Sequence, residues 1–229
     1  MENVDQPYGF LKSEDSRVHF AGLDLALKAG RHIQNYAPDT QLYAYCEDNY
    51  EELQGYYANL FLLDFCKGYY ALDAYYYLQL REEERSKIPS SMIQVMDSVD
   101  VILGILLLNF AEEKFLELSK LFTLEDLWKM LWAPEHKEHM QRLFNKGGDE
   151  SFNNHDSDRL KARLSRSLAR MENQGWIRSM DKAEVKRYEV MPSLGRLEAF
   201  FGKEIGGVDG VPVNAEETTA LNSAEDLEQ

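Results

Sequence analysis

The chain has 229 residues and a formal net charge of −15, from 40 acidic and 25 basic side chains. Its hydrophobic content of 44% is enough for one large domain or two small domains with a buried core. The charge excludes a protein that coats nucleic acid by overall attraction, but it allows one locally basic face. Two cysteines are too few for a disulfide framework or a zinc cluster, and they indicate buried thiols in a reducing cytoplasm.

No apolar segment of the sequence is long enough for a membrane span. The longest uncharged apolar run extends from Val101 to Ala111, whereas a span needs about 20 apolar residues. The N-terminal residues 1–17 are acidic and polar, which is not the pattern of a signal peptide. We expect these residues to form a mobile or partner-ordered arm.

The first predicted domain, residues 18–88, contains two helices followed by a β-hairpin. Apolar residues at helical spacing predict one helix from about His19 to Gly30 and a second helix after Asp48. From residue 60 onward the pattern predicts two strands around a tight turn at Lys67-Gly68. The charged segment 81–87 marks the end of this domain.

Tyrosine is concentrated in the first domain, where 11 of the 13 tyrosines lie between Tyr36 and Tyr77. The tyrosine ring is apolar and its hydroxyl is polar, so the residue suits half-buried positions in a sheet and also protein interfaces. The cluster therefore predicts either a strand face or a partner-binding surface.

The second predicted domain, residues 89–201, begins with two helices. Ser90 or Ser91 is expected to cap a helix that runs to about Ala111. Because its residues 101–108 are apolar on all sides, this helix belongs to a core or to a dimer interface. Thr123 is expected to begin the next helix, with acidic residues in its first turn, and Pro134 to end it. A polar insertion follows at residues 133–156.

The remaining sequence of the second domain predicts a third helix, capped by Asp156 or Ser157 and ending at Gly175. A hairpin over residues 176–191, with its turn at 181–184, is predicted to follow. A short helix at 194–201 closes the domain. Three helices followed by a hairpin are typical of a winged-helix domain, and the first domain shows a weaker version of this order. The predicted fold class is therefore mainly α with β-hairpins (α+β), built from tandem winged-helix domains. Residues 202–229 predict a disordered acidic tail.

Residues 157–187 carry nine basic and four acidic side chains, a charge of +5 in a chain whose other residues total −20. On a helix, the leucines and the arginines of this segment form two stripes about 120° apart. The third helix and the wing are the parts of a winged-helix domain that contact DNA. The candidate DNA-binding residues are therefore Arg159, Arg163, Arg166, Arg170, Lys182, Lys186 and Arg187.

These candidates are expected to contact phosphates without sequence specificity, because the arginine row has no Asn or Gln at base-reading positions. A solvated charged helix face is the alternative interpretation of the same pattern.

No pattern in the sequence marks a catalytic, metal or cofactor site. His136 and His139 have a spacing that could hold zinc, but two further ligands would have to come from elsewhere, and the charged surroundings favour a surface segment. The glycine-rich loop that binds phosphate in nucleotide-binding enzymes does not occur. We therefore predict a protein that is not an enzyme and has no metal and no cofactor.

Two stretches of the sequence carry a resemblance to a known family. The more specific stretch is LDLALKAGRHI at residues 23–33, and the second is SRSLARM at residues 165–171, followed by Gly175 and Met180. Both resemble the MukE and MksE proteins, the small non-kleisin subunits of MukBEF-type bacterial condensins. The resemblance covers most of residues 20–200. It implies a tandem winged-helix homodimer that binds a MukF- or MksF-like kleisin and joins a MukB- or MksB-like SMC ATPase.

The same resemblance implies a cytoplasmic, nucleoid-associated protein that contacts the DNA backbone only within the loaded complex, with Arg163 and Arg170 matching the basic third helix. Its role would be chromosome organisation and segregation or defence against plasmids. A stand-alone winged-helix transcription regulator is the alternative, and a scaffold that never contacts DNA is a third possibility. A regulator must bind duplex DNA unaided, and the net charge of −15 opposes that.

Overall fold

A computed structural model of the chain describes residues 8–88, 96–113, 121–132, 154–180 and 186–199. The first half of the chain, up to residue 88, contains three helices and three strands, with 3₁₀ turns at Gly9–Lys12 and Glu82–Lys87. In chain order these elements are α1 (Glu14–Lys28), β1 (Ile33–Gln34), α2 (Thr40–Asp48), α3 (Tyr50–Phe61), β2 (Leu63–Tyr70) and β3 (Asp73–Leu80).

The described residues from 96 onward repeat this arrangement. Their last elements are a 3₁₀ turn at Pro192–Leu194 and helical residues 195–199. Its elements are α4 (Ser98–Glu113), β4 (Leu121–Thr123), α5 (Leu124–Leu131), α6 (Asn154–Asn173), β5 (Ile177–Ser179) and β6 (Arg187–Val190).

Among the described residues, both halves show one order of elements, which is helix, strand, two helices and a hairpin. Each sheet is antiparallel, and the single strand after the first helix pairs with the last strand of the hairpin, in the orders β1-β3-β2 and β4-β6-β5. The predicted α+β class is therefore confirmed. Among the described residues, no helix has the length and apolar character that crossing a membrane requires.

Each half has its own hydrophobic core. In the first half, four tyrosines are buried, and Phe65 stacks on Tyr76 with ring centroids 5.4 Å apart. In the second half, Leu103 and Leu107 of α4 are fully buried. Helix α4, which the sequence assigns to a core or an interface, thus packs in the core of its own half.

The predicted turn at Lys67-Gly68 is wrong. Both residues lie inside β2, and the chain turns at Ala71 and Leu72 instead. Gly68 faces Tyr75 of β3, and a Cβ atom at Gly68 would lie 2.5 Å from the Tyr75 ring. This glycine therefore makes room for an aromatic side chain across the sheet and does not mark a turn.

Two helix starts also differ from the predictions. Helix α1 begins at Glu14, inside the predicted arm 1–17, because the Ser13 side chain caps it by accepting a hydrogen bond from the Ser16 amide at 3.1 Å. Helix α6 already includes Asn154, so Asp156 and Ser157 are not its caps. Helix α5 begins as predicted, since Thr123 and Asp126 form a reciprocal capping box.

Several predicted features lie outside the described residues. These are the caps at Ser90 and Ser91, most of the insertion at 133–156, the hairpin turn with Lys182, and the tail at 202–229. Strands β1 and β4 and helix α2 were not predicted, because two- and three-residue strands and a short helix carry too little periodicity.

The two halves meet at a polar junction around β1. The His32 amide donates to the Gln174 carbonyl at 2.9 Å, and the Gln34 side chain donates to the Gly175 carbonyl at 2.6 Å and accepts from the Ser193 amide at 2.9 Å. These bonds connect the region of β1 in the first half to the second half, near the turn that follows α6. Helix α6 itself carries the predicted basic face.

The ring of His32 is buried in this junction. Its Nδ1 lies 2.9 Å from the Gln174 carbonyl oxygen and 3.0 Å from Trp176 Nε1, and a guanidinium nitrogen of Arg196 lies 3.1 Å from Nε2. Burial, and then the positive charge of Arg196, lower the pKa of His32 to about 3. With its single hydrogen on Nδ1, the neutral ring donates to the Gln174 carbonyl, and Nε2 accepts from Arg196. An imidazolium would turn Nε2 into a donor that faces this guanidinium donor, so the junction requires a neutral His32.

Candidate nucleic-acid interface

Helix α6 is anchored by the leucine stripe that the sequence predicts. Leu160, Leu164 and Leu168 are buried in the core of the second half, with Met171 beneath the last turn. Because side chains on a helix repeat every 3.6 residues, this anchoring turns the arginine row away from the core. The helix thus presents the row on the surface, and the structure resolves what each arginine contacts.

Arg163 is paired with a carboxylate at the start of α4. One of its terminal nitrogens lies 3.2 and 3.3 Å from the two carboxylate oxygens of Asp97. Asp97 also accepts a hydrogen bond from the Val99 amide at 3.3 Å, within the first turn of α4. Both charged side chains are more than a third exposed, so water screens this pair strongly.

Arg170 makes a stronger, bidentate contact. Its guanidinium donates to the two carboxylate oxygens of Asp100 at 2.8 and 2.7 Å and to the hydroxyl of Ser167 at 3.0 Å. Asp100 is a buried carboxylate, and its hydrogen bonds raise the pKa of Arg170. Such a pair has a structural function, because loss of the arginine would leave a buried negative charge.

Arg159 and Arg166 are the most accessible members of the row. Both are exposed, and Arg166 donates only a weak 3.3 Å hydrogen bond to the Ala162 carbonyl of its own helix. These two guanidinium groups lie about two helical turns apart. They can approach a phosphate without displacing a carboxylate partner seen in the structure.

The hairpin contributes less free positive charge than the sequence suggests. Lys186 pairs with Glu172 at the end of α6 at 2.6 Å, and this hydrogen bond raises the pKa of Lys186. Arg187 is exposed at the start of β6, opposite Thr123 in the sheet. Lys182 lies outside the described residues.

The acidic partners of the basic face were not foreseen from the sequence. Asp97 and Asp100 precede their arginines by 66 and 70 positions, so no local pattern connects them. The only sequence indication was acidic residues near the start of a helix, which ordinarily suggests a favourable interaction with the helix dipole. The row therefore consists of two exposed arginines, Arg159 and Arg166, and two arginines that are paired with carboxylates, Arg163 and Arg170.

Among the residues that the structure describes, no three His, Cys, Asp or Glu side chains come together to hold an ion. His136 and His139 lie outside the described ranges. The exposed guanidinium groups of Arg159 and Arg166 offer charge pairing with an anionic surface.

The family model described as condensin complex protein MksE matches residues 18–201, a range that includes both halves and the whole of α6. No curated protein matches the chain.

Proposed function

The chain belongs to the MksE family of condensin complex proteins, and from this premise we propose that it binds a kleisin as a homodimer and contacts DNA through α6 in the assembled complex. It is a condensin accessory subunit. The kleisin is MukF- or MksF-like, and the ATP-hydrolysing partner is a MukB- or MksB-like SMC protein. The complex acts in the cytoplasm, at the nucleoid, in chromosome organisation or plasmid defence.

We further propose that residues 18–88 and 89–201 are two winged-helix domains. The order of helix, strand, two helices and hairpin, which the described residues of both halves show, supports this assignment. The pairing of the single strand with the last hairpin strand in each half supports it as well. In this arrangement α6 is the third helix of the second domain and the β5–β6 hairpin is its wing. Both are the elements with which such domains bind DNA.

The observation that carries the DNA contact is the exposed arginine pair on a helix fixed by buried leucines. Arg159 and Arg166 are presented by a rigid element, and arginine pairs well with phosphate. The net charge of −15 opposes approach of the isolated chain to DNA. Within a complex, the partner proteins hold the duplex close to α6. At physiological salt the Debye length is about 8 Å, so the repulsion between DNA and the distant acidic residues is screened, and the arginine–phosphate contacts dominate.

Members of this accessory family are not catalytic, and we propose the same for this chain, without a metal or a cofactor. The ATPase activity then belongs to the SMC partner. The accessory subunit contributes binding surfaces only.

The test is a double substitution, Arg159→Glu with Arg166→Glu, in the assembled complex with kleisin and SMC partner. We expect intact kleisin binding, weaker DNA binding, and a salt dependence whose slope falls by about 2, because two phosphate contacts are lost. Sequence preference should not change, since these contacts reach phosphates only.

The matched control is Arg85→Glu with Lys87→Glu, which changes the net charge equally at exposed positions outside α6. Equal losses in both variants would show a general charge effect and contradict the proposed interface. Tight binding of duplex DNA by the isolated wild-type chain would favour the stand-alone regulator instead.

A further inference from the structure

The described part of the chain ends close to helix α6. Its last residue is 199, and two positions earlier Leu197 is buried in the core of the second half. A Cβ atom at Gly104 of α4 would meet both Leu197 and Met171, which lies in the last turn of α6. Residues 200–229 therefore continue the chain from a point beside the end of α6.

The exposed arginines of α6 are within reach of this point. At a rise of 1.5 Å per residue, Met171 lies about 8 Å along the helix axis from Arg166 and about 18 Å from Arg159. A chain can span about 3.4 Å per residue, so the residues that follow 199 are numerous enough to reach both arginines.

Residues 202–229, which we call the acidic tail, carry a charge opposite to that of α6. They contain seven acidic side chains and one lysine, a net charge of −6, whereas residues 157–187 carry +5. The acids are concentrated toward the end of the tail, with five of the seven in its last 14 positions, namely Glu216, Glu217, Glu225, Asp226 and Glu228. The tail is thus an anionic ligand for a basic surface within the same chain.

Arg159 and Arg166 are the arginines of α6 that can take such a ligand. The other two arginines of the row already bind carboxylates near the start of α4, at 3.2 and 2.7 Å. Both Arg159 and Arg166 are exposed, and among the described residues no carboxylate pairs with either. The described fold therefore supplies acidic partners to half of the row and leaves the other half open to an anion.

We propose that the acidic tail binds Arg159 and Arg166 of its own chain and competes there with DNA phosphates. A guanidinium group pairs with a carboxylate in the same two-pronged geometry as with a phosphate, so the two anions use the same donor atoms. This inference rests on the DNA contact in the proposed function and adds its regulation.

The competition distinguishes free DNA from DNA that the complex holds in place. Because the acidic tail belongs to the same chain, its effective concentration at α6 is of roughly millimolar order. Its seven acids are spread over 28 residues, whereas duplex DNA carries one charge per about 1.7 Å. Free duplex therefore meets an occupied surface, whereas duplex that the partners hold against α6 displaces the tail.

The first test measures the contact without DNA. Its protein is the full chain with the seven acids of the acidic tail replaced by Gln and Asn, and its probe is a fluorescent peptide of residues 202–229. At about 50 mM salt, where charges are screened less than at physiological salt, we expect saturable binding of the peptide in fluorescence anisotropy. Arg159→Glu with Arg166→Glu should raise the Kd of the peptide at least about 10-fold.

The matched control for the peptide is Arg85→Glu with Lys87→Glu, at exposed positions outside α6, which should change the Kd by less than about 2-fold. Absence of saturable binding, or equal losses in both variants, would overturn the contact between the acidic tail and α6.

The second test measures the competition in the assembled complex with kleisin and SMC partner. Neutralising the acidic tail should raise the affinity for DNA about 5-fold at about 50 mM salt, and less than about 2-fold at about 300 mM salt, because salt screens the contact. In the Arg159→Glu, Arg166→Glu background the same neutralisation should have almost no effect, since the tail has lost its binding site. An equal increase in both backgrounds would show a general effect of net charge and overturn the competition.

The outcomes distinguish this inference from the proposed function. DNA binding that depends on the two arginines, together with no effect of neutralising the acidic tail, would overturn this inference alone. Peptide binding that needs the two arginines, together with DNA binding that does not need them, would overturn the proposed DNA interface and the competition and leave only the contact within the chain.

Discussion

Individual carboxylates decide which arginines of α6 can reach a phosphate. The pair of Arg170 with buried Asp100 is bidentate, and replacing Arg170 would cost about 1–3 kcal/mol because the carboxylate would remain buried. The pair of Arg163 with Asp97 is exposed at both ends and contributes about 1 kcal/mol or less. Arg163 can therefore exchange its carboxylate for a phosphate, whereas Arg170 is held in place.

Removing the charge of Asp97 should strengthen DNA binding by the assembled complex. In Asp97→Asn the side chain still accepts the Val99 amide, since Asn and Asp cap helices equally well, but Arg163 loses its competing carboxylate. We expect a change of less than about 1 kcal/mol in the free energy of unfolding and a salt dependence of DNA binding steeper by about 1.

The control for Asp97→Asn is Asp48→Asn, an exposed carboxylate on α2, which alters net charge equally. If both substitutions change DNA binding to the same extent, Asp97 does not compete for Arg163.

Because His32 is buried in its neutral form, the free energy of unfolding decreases as the pH falls. The pKa of His32 is about 3 in the folded protein and 6.5 when the ring is exposed, so unfolding takes up a proton below pH 6.5. The contribution is fully present above that pH and is lost progressively as the pH falls toward 3. Between pH 7.0 and 5.5 we expect the free energy of unfolding to fall by about 1 kcal/mol from this residue.

The measurement is urea unfolding of the wild type and of His32→Gln at both pH values. The variant should be less stable at both pH values. The difference in its free energy of unfolding between pH 7.0 and 5.5 should be smaller than that of the wild type by about 1 kcal/mol. Parallel pH dependences in the two proteins would show that His32 is not the titrating group.

At the scale of elements, the turn from α6 to β5 is fixed by one residue. Gly175 has a φ of +80°, and a Cβ atom there would lie 2.7 Å from the His32 carbonyl oxygen. Gly175→Ala should therefore lower the free energy of unfolding by about 2–3 kcal/mol, through backbone strain and through separation of β1 from this turn. Thermal and urea denaturation measure the loss.

Gly55→Ala is the control for the Gly175 substitution. Gly55 lies within α3, and a Cβ atom there would meet nothing within 4 Å, so alanine should stabilise the protein by up to about 1 kcal/mol. Similar losses at both positions would contradict a special role for Gly175.

The elements that the sequence predicted correctly have local causes. Helix α5 follows from a capping box within four residues, and α6 from a leucine stripe every three or four residues. The turn at Lys67-Gly68 was misassigned because the reason for Gly68 lies on the opposite strand, at Tyr75. The exposed arginines were predicted from the helical repeat, but Asp97 and Asp100 come near α6 only through tertiary packing.

At the scale of the whole molecule, the polar junction couples two separate cores. The Gln34 side chain is buried and bonds to Gly175 and Ser193 of the second half. All three tryptophans lie in the second half of the chain, so their fluorescence reports its unfolding, whereas far-UV circular dichroism reports both halves. In the wild type we expect the two signals to change at the same urea concentration.

Gln34→Ala should separate these two transitions, because it leaves the Ser193 amide buried without its acceptor, at a cost of about 1–3 kcal/mol. Gln54→Ala on the exposed side of α3 should leave them coincident. Coincident transitions in Gln34→Ala would mean that the halves are coupled by other contacts.

The junction around β1 also connects the two halves rigidly. One hydrogen bond joins the backbones of the two halves, and the buried Gln34 side chain bonds to two more backbone groups of the second half. These groups cannot slide past one another as apolar side chains can. In the proposed complex, a partner that rotates the first half therefore rotates the second half with it. The displacement of Arg159 and Arg166 in such a rotation increases with their distance from the junction. The angle at which a partner binds the first half would therefore determine where these two arginines lie.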